Sequence, residues 1–361
     1  MTDNLLRIGL IGAGGAARGI HIPGFRRCIG VELAAVCDAD ETAARATGIP
    51  KLCARYQDLL VDPAIDAVVI AAPNHLHREI ALGAIAAGKH VLCEKPLALN
   101  LAEAREMLAA AEAAGVVHMT AFTYQYTPAV SWLRHLVRSG RLGSLRTVRA
   151  AYLMALSSHL LGWRSLKQHA GSGVLADIGS HLIHLVQLVA GPVRSLTADG
   201  RRFRDDPASD VEDWIAFLAR LDGGARGTFE ISRVCPGRGA GITEDMFIEV
   251  YGTEGSAAFS LQDPWGLRVA LGESGRDPNR VLERLDVPEE FLKIAGSPRD
   301  IHADDPRWGY RYDQAFQFVE SIRLGQSRTP SFADGVRCQA VLDAALESSA
   351  SMRWVDVSWP F

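Results

Sequence analysis

Short apolar runs alternate with helix-like stretches throughout the first third of the chain. Five runs have the continuous hydrophobicity of strands that are covered on both faces: Leu5 to Ile11, Leu33 to Cys37, Ala67 to Ala71, His90 to Cys93 and Val116 to Ala121. A weaker run surrounds Leu52 and Cys53, and two of the helix-like stretches end at a glycine, Gly88 or Gly115. This alternation predicts right-handed crossovers and a doubly wound parallel sheet.

Longer strand-like segments replace this alternation beyond residue 122. Turns such as Asp222 to Gly224 and Gly252 to Gly255 join neighbouring segments, which predicts hairpins and a mostly antiparallel sheet. Two helices are expected to close the chain: about Tyr310 to Arg323 and Phe332 to Met352. We therefore predict an α/β protein with two domains, residues 1–122 and residues 123–361.

The composition is that of a globular protein without a bias toward a charged partner. The 361 residues are 48% hydrophobic, and the formal net charge is -4 at pH 7. Because no block of like charge is present, neither nucleic acid nor a membrane surface is predicted as a partner. The longest apolar stretch, Val174 to Ala190, contains Asp177, His181 and His184, and it therefore predicts a buried helix rather than a membrane span.

The cysteines and the N-terminal sequence indicate the cellular location of the protein. The six cysteines form no C-x-x-C pair, and several lie in strand-like or helix-like segments, as reduced core cysteines do. The N-terminal sequence enters a strand pattern directly, without the basic and apolar regions of a signal peptide. We therefore expect a cytoplasmic protein.

A glycine-rich motif follows the first predicted strand. Gly12, Gly14 and Ala17, with Ala16 between them, form G-x-G-x-x-A at the start of a helix, where free N–H groups can meet a pyrophosphate. Asp38 ends the second strand about 20 residues beyond the motif, where a carboxylate can accept hydrogen bonds from ribose hydroxyls. No Arg or Lys follows in the sequence D-A-D-E, which favours NAD over NADP. The alternative is a glycine-rich turn with a solvated aspartate.

Two polar segments follow later strands at the same edge of the predicted sheet. Pro73, Asn74 and His77 come after the fourth strand, and ligands of open α/β sheets bind beyond the carboxyl ends of the strands. These three residues are therefore expected to face the cofactor, although Asn74 or His75 can instead cap the next helix.

The second polar segment, C-E-K-P-L-A (Cys93 to Ala98), follows the fifth strand. Asn100 begins a capping-box-like helix start after the motif, so Pro96 is not the first residue of that helix. Glu94 and Lys95 are therefore expected on a loop at the cofactor edge. A charged pair buried at the end of a strand would be costly without partners.

A carboxylate and two histidines share one predicted helix of the second domain. Asp177 and His181 are spaced i, i+4, and His184 lies three residues further on. A carboxylate beside an imidazole orients it and stabilises its protonated form, which suits a general base. Two alternatives are a zinc site, for which the sequence supplies no fourth ligand, and a pair of buried core histidines.

In their order and separations, these motifs resemble the glucose-fructose oxidoreductase, inositol dehydrogenase and MocA (Gfo/Idh/MocA) family. They are G-L-I-G-A-G-G-A-A-R-G-I-H, P-N-H-L-H, C-E-K-P-L and G-S-G-V-L-A-D-I-G-S-H-L-I-H-L, and the resemblance covers nearly the whole chain. It implies an N-terminal Rossmann domain, then an α/β domain whose large open sheet commonly forms the subunit interface, and hence a homodimer or homotetramer. It also implies hydride transfer between NAD and a ring hydroxyl of a sugar or cyclitol.

The resemblance further implies that Lys95, Asp177 and His181 form the catalytic group and that the Lys95–Pro96 bond is cis. Alcohol oxidation needs a base near neutral pKa, which would be His181 oriented by Asp177, while Lys95 would donate to the reacting oxygen. The expected cofactor-side residues are Gly12, Gly14, Ala16, Ala17, Asp38, Pro73, Asn74, His77 and Glu94. No metal is expected.

The substrate is less closely defined, because the chain departs from the family's usual residues at three positions. Gln125 stands where an arginine is frequent, Ser172 where a glycine is, and His184 where an aspartate is. An uncharged Gln125 argues against a phosphate or carboxylate on the substrate. The expected substrate contacts are Lys95, Tyr124, Trp163, Arg164, His181 and His184.

Two other functions remain compatible with the sequence. One is an NAD-dependent glycosidase or epimerase that oxidises a sugar transiently. The other is a regulator that senses NAD or a sugar without catalysis, although the intact residues Lys95, Asp177 and His181 count against it.

Overall fold

A computed structural model describes residues 5–156, 162–239, 244–271 and 281–358. The chain forms two compact units. The first unit comprises Met1–Thr123 and Ile294–Val336, and the second comprises Tyr124–Lys293 and Arg337–Phe361. This division differs from the two continuous domains that the sequence predicts, because the segment after residue 293 returns to pack with the N-terminal residues.

The first unit contains a parallel sheet with the strand order β3-β2-β1-β4-β5-β6 in its described residues. The strands are β1 (Leu6–Ile11), β2 (Val31–Cys37), β3 (Lys51–Cys53), β4 (Ala67–Ile70), β5 (His90–Cys93) and β6 (His118–Thr120). Apolar side chains from both faces of these strands are fully buried, as in a sheet covered by helices on both sides. The prediction of a doubly wound parallel sheet is confirmed.

Five helices of the first unit lie between its strands, and a sixth belongs to the segment after residue 293. They are α1 (Ile22–Arg26), α2 (Glu41–Arg45), α3 (Tyr56–Leu60), α4 (Asn74–Ala86), α5 (Leu101–Ala114) and α9 (Asp313–Arg323). A π-helical turn, Ala17–His21, precedes α1. Phe318 of α9 is buried and meets the ring of Phe25 edge-on, with 6.3 Å between the ring centroids. This contact anchors the returning segment to the helix that follows the glycine motif.

A buried ion pair also fixes the returning segment. Arg299 and Asp313 are almost fully buried, and the Nε atom of Arg299 lies 3.1 Å from Oδ1 of Asp313. The hydroxyl of Ser297 donates to the same carboxylate oxygen at 2.5 Å. Burial raises the pKa of Asp313, and the nearby charge of Arg299 opposes this. Because both charges have partners, the segment from residue 294 to α9 can be buried against the unit.

The strand order places a topological switch between β1 and β4, the two neighbours whose crossovers run in opposite directions. The glycine motif follows β1 and the segment containing Asn74 follows β4, so both leave the sheet beside this switch. Glu94 follows β5, the next strand along the same edge. Open α/β sheets bind their ligands at this place.

Among its described residues, the second unit contains a nine-stranded sheet with the order β14-β13-β12-β11-β7-β10-β9-β8-β15. The strands are β7 (Leu145–Leu153), β8 (Val193–Arg201), β9 (Trp214–Leu221), β10 (Arg226–Ser232), β11 (Asp245–Gly252), β12 (Ser256–Ser260), β13 (Gly266–Ala270), β14 (Glu283–Asp286) and β15 (Val355–Asp356). All neighbouring pairs are antiparallel except β7 and β10. The prediction of a mostly antiparallel sheet is confirmed.

Four α-helices lie wholly or partly in the described residues of the second unit. They are α6 (Pro128–Arg138), α7 (Lys167–Ala170), α8 (Ser180–Ala190) and α10 (Phe332–Ser351), which begins in the first unit and continues in the second. A second π-helical turn, Leu175–Gly179, leads directly into α8. The helical stretch Lys167–Ala190 is long and apolar enough to cross a membrane, but 78% of its most apolar window is buried within the protein. Such burial is typical of a core helix, as the sequence predicts.

Candidate active site

The glycine motif forms a tight turn whose outer side is open. Gly12 has a φ of +99°, and a Cβ atom there would lie 2.4 Å from the carbonyl oxygen of Ala71. A Cβ atom on Gly14, in contrast, would have no protein atom within 4 Å, and Ala17 is fully buried under the turn. The turn therefore packs against the strand beside it and leaves room for a ligand at Gly14, as a pyrophosphate-binding loop requires.

Asp38 connects the end of β2 to this turn. Its Oδ2 atom accepts the backbone N–H of Ala13 at 2.6 Å, and its Oδ1 atom accepts the backbone N–H of Asp40 at 2.8 Å. The residue is only half-buried, and each carboxylate oxygen can accept a further hydrogen bond. The residues present thus fit the adenosine ribose of NAD, which offers two hydroxyl donors.

The segment after β4 leads into α4, which begins at Asn74. Pro73 is the residue before the helix, and Asn74 is its first helical residue, so neither Asn74 nor His75 occupies the N-cap position. Asn74 is buried. Its role in cofactor binding stays a prediction.

His77 braces two loops of the first unit. Its Nδ1 atom lies 2.9 Å from the carbonyl oxygen of Pro96, and its Nε2 atom lies 3.0 Å from that of Ala72. The side chain is fully buried, and burial lowers its pKa even though the two carbonyl contacts oppose this. His77 therefore ties the segment after β4 to the segment after β5, which its sequence position alone does not indicate.

The loop after β5 carries Glu94 and Lys95, and the Lys95–Pro96 peptide bond is cis. Asn100 caps α5 by accepting the N–H of Glu103 at 3.0 Å, so the charged residues lie on a loop before the helix. Glu94 Oε1 lies 2.8 Å from Nε2 of His21, a partner that the sequence analysis missed. The pKa of Glu94 is lowered, because this contact and the charge of Lys95 outweigh the opposing effect of burial.

In the second unit, Glu212 caps the helix that carries the carboxylate and the histidines. Its Oε1 atom accepts the backbone N–H groups of Gly173 at 2.8 Å and Leu175 at 3.0 Å. A Cβ atom on residue 173 would lie 1.9 Å from the carbonyl oxygen of Glu212, so only glycine permits this approach. Burial raises the pKa of Glu212, and the hydrogen bonds from these N–H groups oppose the rise.

Asp177 lies in the π-helical turn and is flanked by two guanidinium groups. Its Oδ1 atom is 3.4 Å from Nε of Arg164, and its Oδ2 atom is 3.7 Å from Nη1 of Arg233. The Asp177 side chain is 20% exposed, that of Arg164 is 43% exposed, and that of Arg233 is 2% exposed. Asp177 is therefore held by two cations of unequal burial, of which Arg233 was not predicted.

His181 is half-buried in the first turn of α8 and packs on Tyr124. The two rings meet edge-on, with 4.6 Å between their centroids. Tyr124 is itself buried, its hydroxyl donates to Glu244, and it lies 3.4 Å from the hydroxyl of Tyr152. Tyr124 therefore packs against the imidazole of His181. Its contact with substrate stays a prediction.

The other predicted substrate residues of the second unit take part in two separate contacts. His184 is buried, and its Nε2 atom lies 2.9 Å from the side-chain oxygen of Gln125. Trp163 is half-buried, and the Arg164 guanidinium covers its ring at 4.3 Å from the centroid. Two of the three departures from the usual family residues, Gln125 and His184, are thus partners of each other. Among the described residues, no group of three or more His, Cys, Asp or Glu side chains is arranged to hold a metal ion.

Comparison with known proteins identifies both parts of the chain. Residues 6–122 match the oxidoreductase family with an NAD-binding Rossmann fold, and residues 130–258 match the GFO/IDH/MocA C-terminal domain. Levoglucosan dehydrogenase of Pseudarthrobacter phenanthrenivorans is 34% identical over 348 residues, covering 87% of this chain and 86% of the relative. The 1,5-anhydro-D-fructose reductase of Ensifer adhaerens is 38% identical over 293 residues, covering 74% and 81%.

Solved structures give the same result. A levoglucosan dehydrogenase in complex with NADH and levoglucosan superposes with a TM-score of 0.88 at 31% identity, covering 98% of this chain and 99% of that one. The protein GenD2 from gentamicin A biosynthesis, in complex with NAD, has a TM-score of 0.79 at 28% identity, covering 98% and 96%. The chain therefore belongs to the Gfo/Idh/MocA family of oxidoreductases, whose N-terminal Rossmann domain binds NAD.

Proposed function

We propose that the protein is an NAD-dependent dehydrogenase that transfers hydride between NAD and a ring secondary alcohol of a sugar or cyclitol. The observation that carries this proposal is the position of Lys95, on the loop after β5, at the same sheet edge as the glycine turn and Asp38. An ammonium group at this edge is suited to contact a substrate oxygen beside the nicotinamide. Relatives named for a sugar anhydride and an anhydro-sugar support a carbohydrate substrate.

In this proposal Lys95 and His181 handle the proton of the reacting hydroxyl. Bound NAD supplies the chemistry of hydride acceptance and donation. Lys95 donates a hydrogen bond to the oxygen and stabilises its alkoxide character. His181 takes the hydroxyl proton as general base, and it returns the proton in the reductive direction.

The surroundings of Asp177 and His181 support these roles. Two guanidinium groups lie beside the carboxylate of Asp177, at 3.4 Å and 3.7 Å, and these contacts hold the carboxylate one helical turn before His181. The ring of Tyr124 limits the orientations that His181 can adopt. Trp163 and Arg164 are proposed to contact the sugar, since the former offers a stacking face and the latter hydrogen-bond donors.

Asp38 supports a preference for NAD. Its carboxylate is already fixed by the N–H groups of Ala13 and Asp40, so it is held in place to accept the ribose hydroxyls. The 2′-phosphate of NADP would bring a second negative charge to this position, which is unfavourable.

A screen of sugars and inositols with NAD and with NADP, followed by the absorbance of the reduced nicotinamide, tests the proposal. We expect net formation of NADH with at least one ring alcohol, and loss of that activity in Lys95→Met. Lys51→Met, which removes a surface lysine of β3, is the control and is expected to retain activity.

Two results would overturn the proposal in different ways. Cleavage of a glycosidic bond without accumulation of NADH would favour the NAD-dependent glycosidase. Unchanged cellular function in the Lys95→Met variant would favour a non-catalytic regulator.

We further propose that the protein forms a homodimer or homotetramer through the nine-stranded sheet. Along β9, buried Ile215 and Phe217 alternate with Ala216 and Leu218, and Leu218 is 52% exposed. An apolar side chain exposed on the face of a wide sheet, on a strand paired on both sides, favours association. Leu218→Lys is expected to lower the mass measured by light scattering, whereas Val61→Lys, on an exposed residue of the first unit, is not.

The six cysteines are free, and five of them are buried. This supports the proposal of a reducing, cytoplasmic location, which fractionation of cells that express the protein would test.

A further inference from the structure

A buried contact between a histidine and a carboxylate joins the helix after the glycine turn to the loop that carries Lys95. His21 is 2% exposed and Glu94 is 12% exposed at their side chains, and Nε2 of His21 lies 2.8 Å from Oε1 of Glu94. The two residues are 73 positions apart in the chain. Neither the cofactor contacts nor the proton transfer described above uses His21.

The local sequence explains how His21 reaches the loop. His21 ends the π-helical turn, in which the N–H of Ile22 donates to the carbonyl oxygen of Ala17, five residues earlier. Pro23 follows, and a proline has no N–H to donate to the carbonyl group of Gly19 and crowds it sterically. The wider turn accommodates the proline. Such turns are frequent at functional sites.

The carboxylate of Glu94 contacts both His21 and the backbone of Lys95. While Oε1 of Glu94 meets His21, Oε2 accepts the backbone N–H of Lys95 at 3.2 Å. The backbone N–H of Glu94 is in turn fixed to the carbonyl oxygen of Ile70 in the neighbouring strand at 2.9 Å. The lowered pKa of Glu94 means that its carboxylate is ionised near neutral pH, and hydrogen bonds to an ionised group are the stronger kind.

The other side of the same loop has its own anchor. His77 lies 2.9 Å from the carbonyl oxygen of Pro96, which follows Lys95 directly. The backbone of Lys95 is therefore held on one side through Glu94 and on the other side through Pro96. The contact through Glu94 connects this backbone to the helix of the glycine turn.

We propose that His21 is a positioning residue that sets the direction of Lys95 by holding the carboxylate of Glu94. This inference rests on the proposed function, because it takes Lys95 as the group that acts on the substrate hydroxyl. His21 acts through Glu94 and touches neither substrate nor reacting atoms.

Two substitutions separate positioning from packing. His21→Phe keeps a planar ring but removes the nitrogen that meets Glu94. His21→Gln places an amide N–H near the position of Nε2 and is the conservative rescue. His90→Phe is the matched control, because His90 is a partly buried histidine at the opposite end of β5, where its Nδ1 atom accepts the N–H of Val117 at 2.9 Å.

The first measurement is steady-state kinetics with the NAD-dependent activity. We expect His21→Phe to lower kcat by about 10- to 100-fold, the size of effect that misplacement of a catalytic group causes. The KM for the sugar and the Kd for NAD are expected to stay within about threefold, since a positioning residue acts on the chemical step. His21→Gln and His90→Phe are expected to retain kcat within about threefold.

The second measurement does not need activity. The rate at which acetic anhydride labels Lys95, relative to Lys51 in the same molecule, is read by mass spectrometry of the folded protein. We expect His21→Phe to change this ratio and His21→Gln and His90→Phe to leave it at the wild-type value. The labelling is done without cofactor, so it reports the loop itself.

The outcomes distinguish this inference from the proposed function. An active wild-type enzyme with an equally active His21→Phe variant, or an unchanged labelling ratio, would overturn the positioning role. So would a loss of kcat in His90→Phe as large as in His21→Phe, since the effect would then be a general one on folding. If no sugar is oxidised by the wild type, the proposed function fails, and the labelling ratio alone decides whether His21 positions Lys95.

Discussion

The backbone N–H of Ala13 donates to Oδ2 of Asp38 at 2.6 Å, so the carboxylate at the end of β2 also fixes the glycine turn after β1. One side chain thus shapes the part of the site expected to hold the pyrophosphate and the part expected to hold the ribose. Removal of Asp38 therefore has two consequences for cofactor binding.

We expect Asp38→Ala to raise the KM for NAD by at least about tenfold, since hydrogen bonds to a charged group contribute about 1.5–3 kcal/mol each. The KM for NADP should rise less, because the variant no longer repels the 2′-phosphate. Initial rates with both cofactors measure the change in preference.

Asp40→Ala is the matched control for this prediction. Asp40 caps α2 by accepting the N–H groups of Thr42 and Ala43, so its loss should cost about 1 kcal/mol of stability. The ratio of NAD to NADP activity should not change. An equal change of that ratio in both variants would contradict the role given to Asp38.

The two glycines of the turn should respond differently to alanine. In Gly12→Ala the new Cβ atom would collide with the carbonyl group of Ala71 at a φ of +99°, so the free energy of unfolding should fall by about 1–3 kcal/mol. Gly14→Ala meets no protein atom within 4 Å, so its free energy of unfolding should stay within about 0.5 kcal/mol of the wild type.

The same Gly14→Ala variant tests where the cofactor lies. If the pyrophosphate occupies the open space at Gly14, the added methyl group should weaken NAD binding about tenfold, equivalent to about 1.4 kcal/mol. Calorimetric titration with NAD measures this. Wild-type affinity in the Gly14→Ala variant would place the pyrophosphate elsewhere.

The contact between Gln125 and His184 should appear as a coupling free energy. We expect the double variant Gln125→Ala, His184→Ala to lose about 1 kcal/mol less stability than the sum of the single variants, because either single change already breaks the 2.9 Å hydrogen bond. Urea unfolding of the four proteins gives the cycle. Strict additivity would show that the contact does not contribute.

The two arginines that flank Asp177 should differ in their effect on stability. Arg233 is buried, so Arg233→Met leaves the Asp177 carboxylate without its buried partner and should cost about 3 kcal/mol. Arg164 is 43% exposed, so Arg164→Met should cost less than about 1 kcal/mol. Similar losses in urea unfolding for both variants would contradict the expectation that the buried contact contributes more to stability than the exposed one.

His118 should make the stability of the protein depend on pH. Burial lowers its pKa from the ordinary value of 6.5 to about 4, opposed by the charge of Asp334. The unfolded chain therefore binds a proton that the folded chain excludes, and the stability present above pH 6.5 is lost as the pH falls toward 4. The expected loss is about 3 kcal/mol.

His118→Asn isolates this effect. The asparagine oxygen replaces Nδ1 as the acceptor for the N–H of Phe332, which lies 3.1 Å away, but it does not titrate. The free energy of unfolding measured between pH 6.5 and pH 4 should fall more steeply in the wild type than in the variant. Parallel curves would show that His118 is not the titrating group.

Periodicity predicted the strands of the first unit well because parallel strands buried on both faces are continuous apolar runs. The elements it missed lack such a signal. The helix α3 has only five residues, and the strand β14 (Glu283–Asp286) is exposed and mostly charged. The π-helical turn before α1 also lies outside simple helical periodicity.

The residues of the candidate site likewise differ in whether a local sequence pattern predicts them. Asp38, Lys95, Asp177 and His181 stand in local motifs, so their chemistry can be predicted from neighbouring letters of the sequence. His21, the partner of Glu94, and Arg233, a partner of Asp177, come from distant segments, which only the fold brings together. Tyr124 carries a phenol near these motifs, but its burial against His181 depends on tertiary packing that no local pattern encodes.

The return of residues 294–336 to the first unit affects the order in which the protein can be completed. Ala315, Phe318 and Val319 belong to the same buried apolar cluster as Ile8 and Leu10 of the first strand. During synthesis these three side chains leave the ribosome only after eight of the nine strands of the second unit's sheet have been made, all except β15. Until these residues have been synthesised, part of the core of the nascent Rossmann unit is therefore exposed to water. Chaperones bind chains in such a state, and a chain that leaves the ribosome before the core is complete is prone to aggregate.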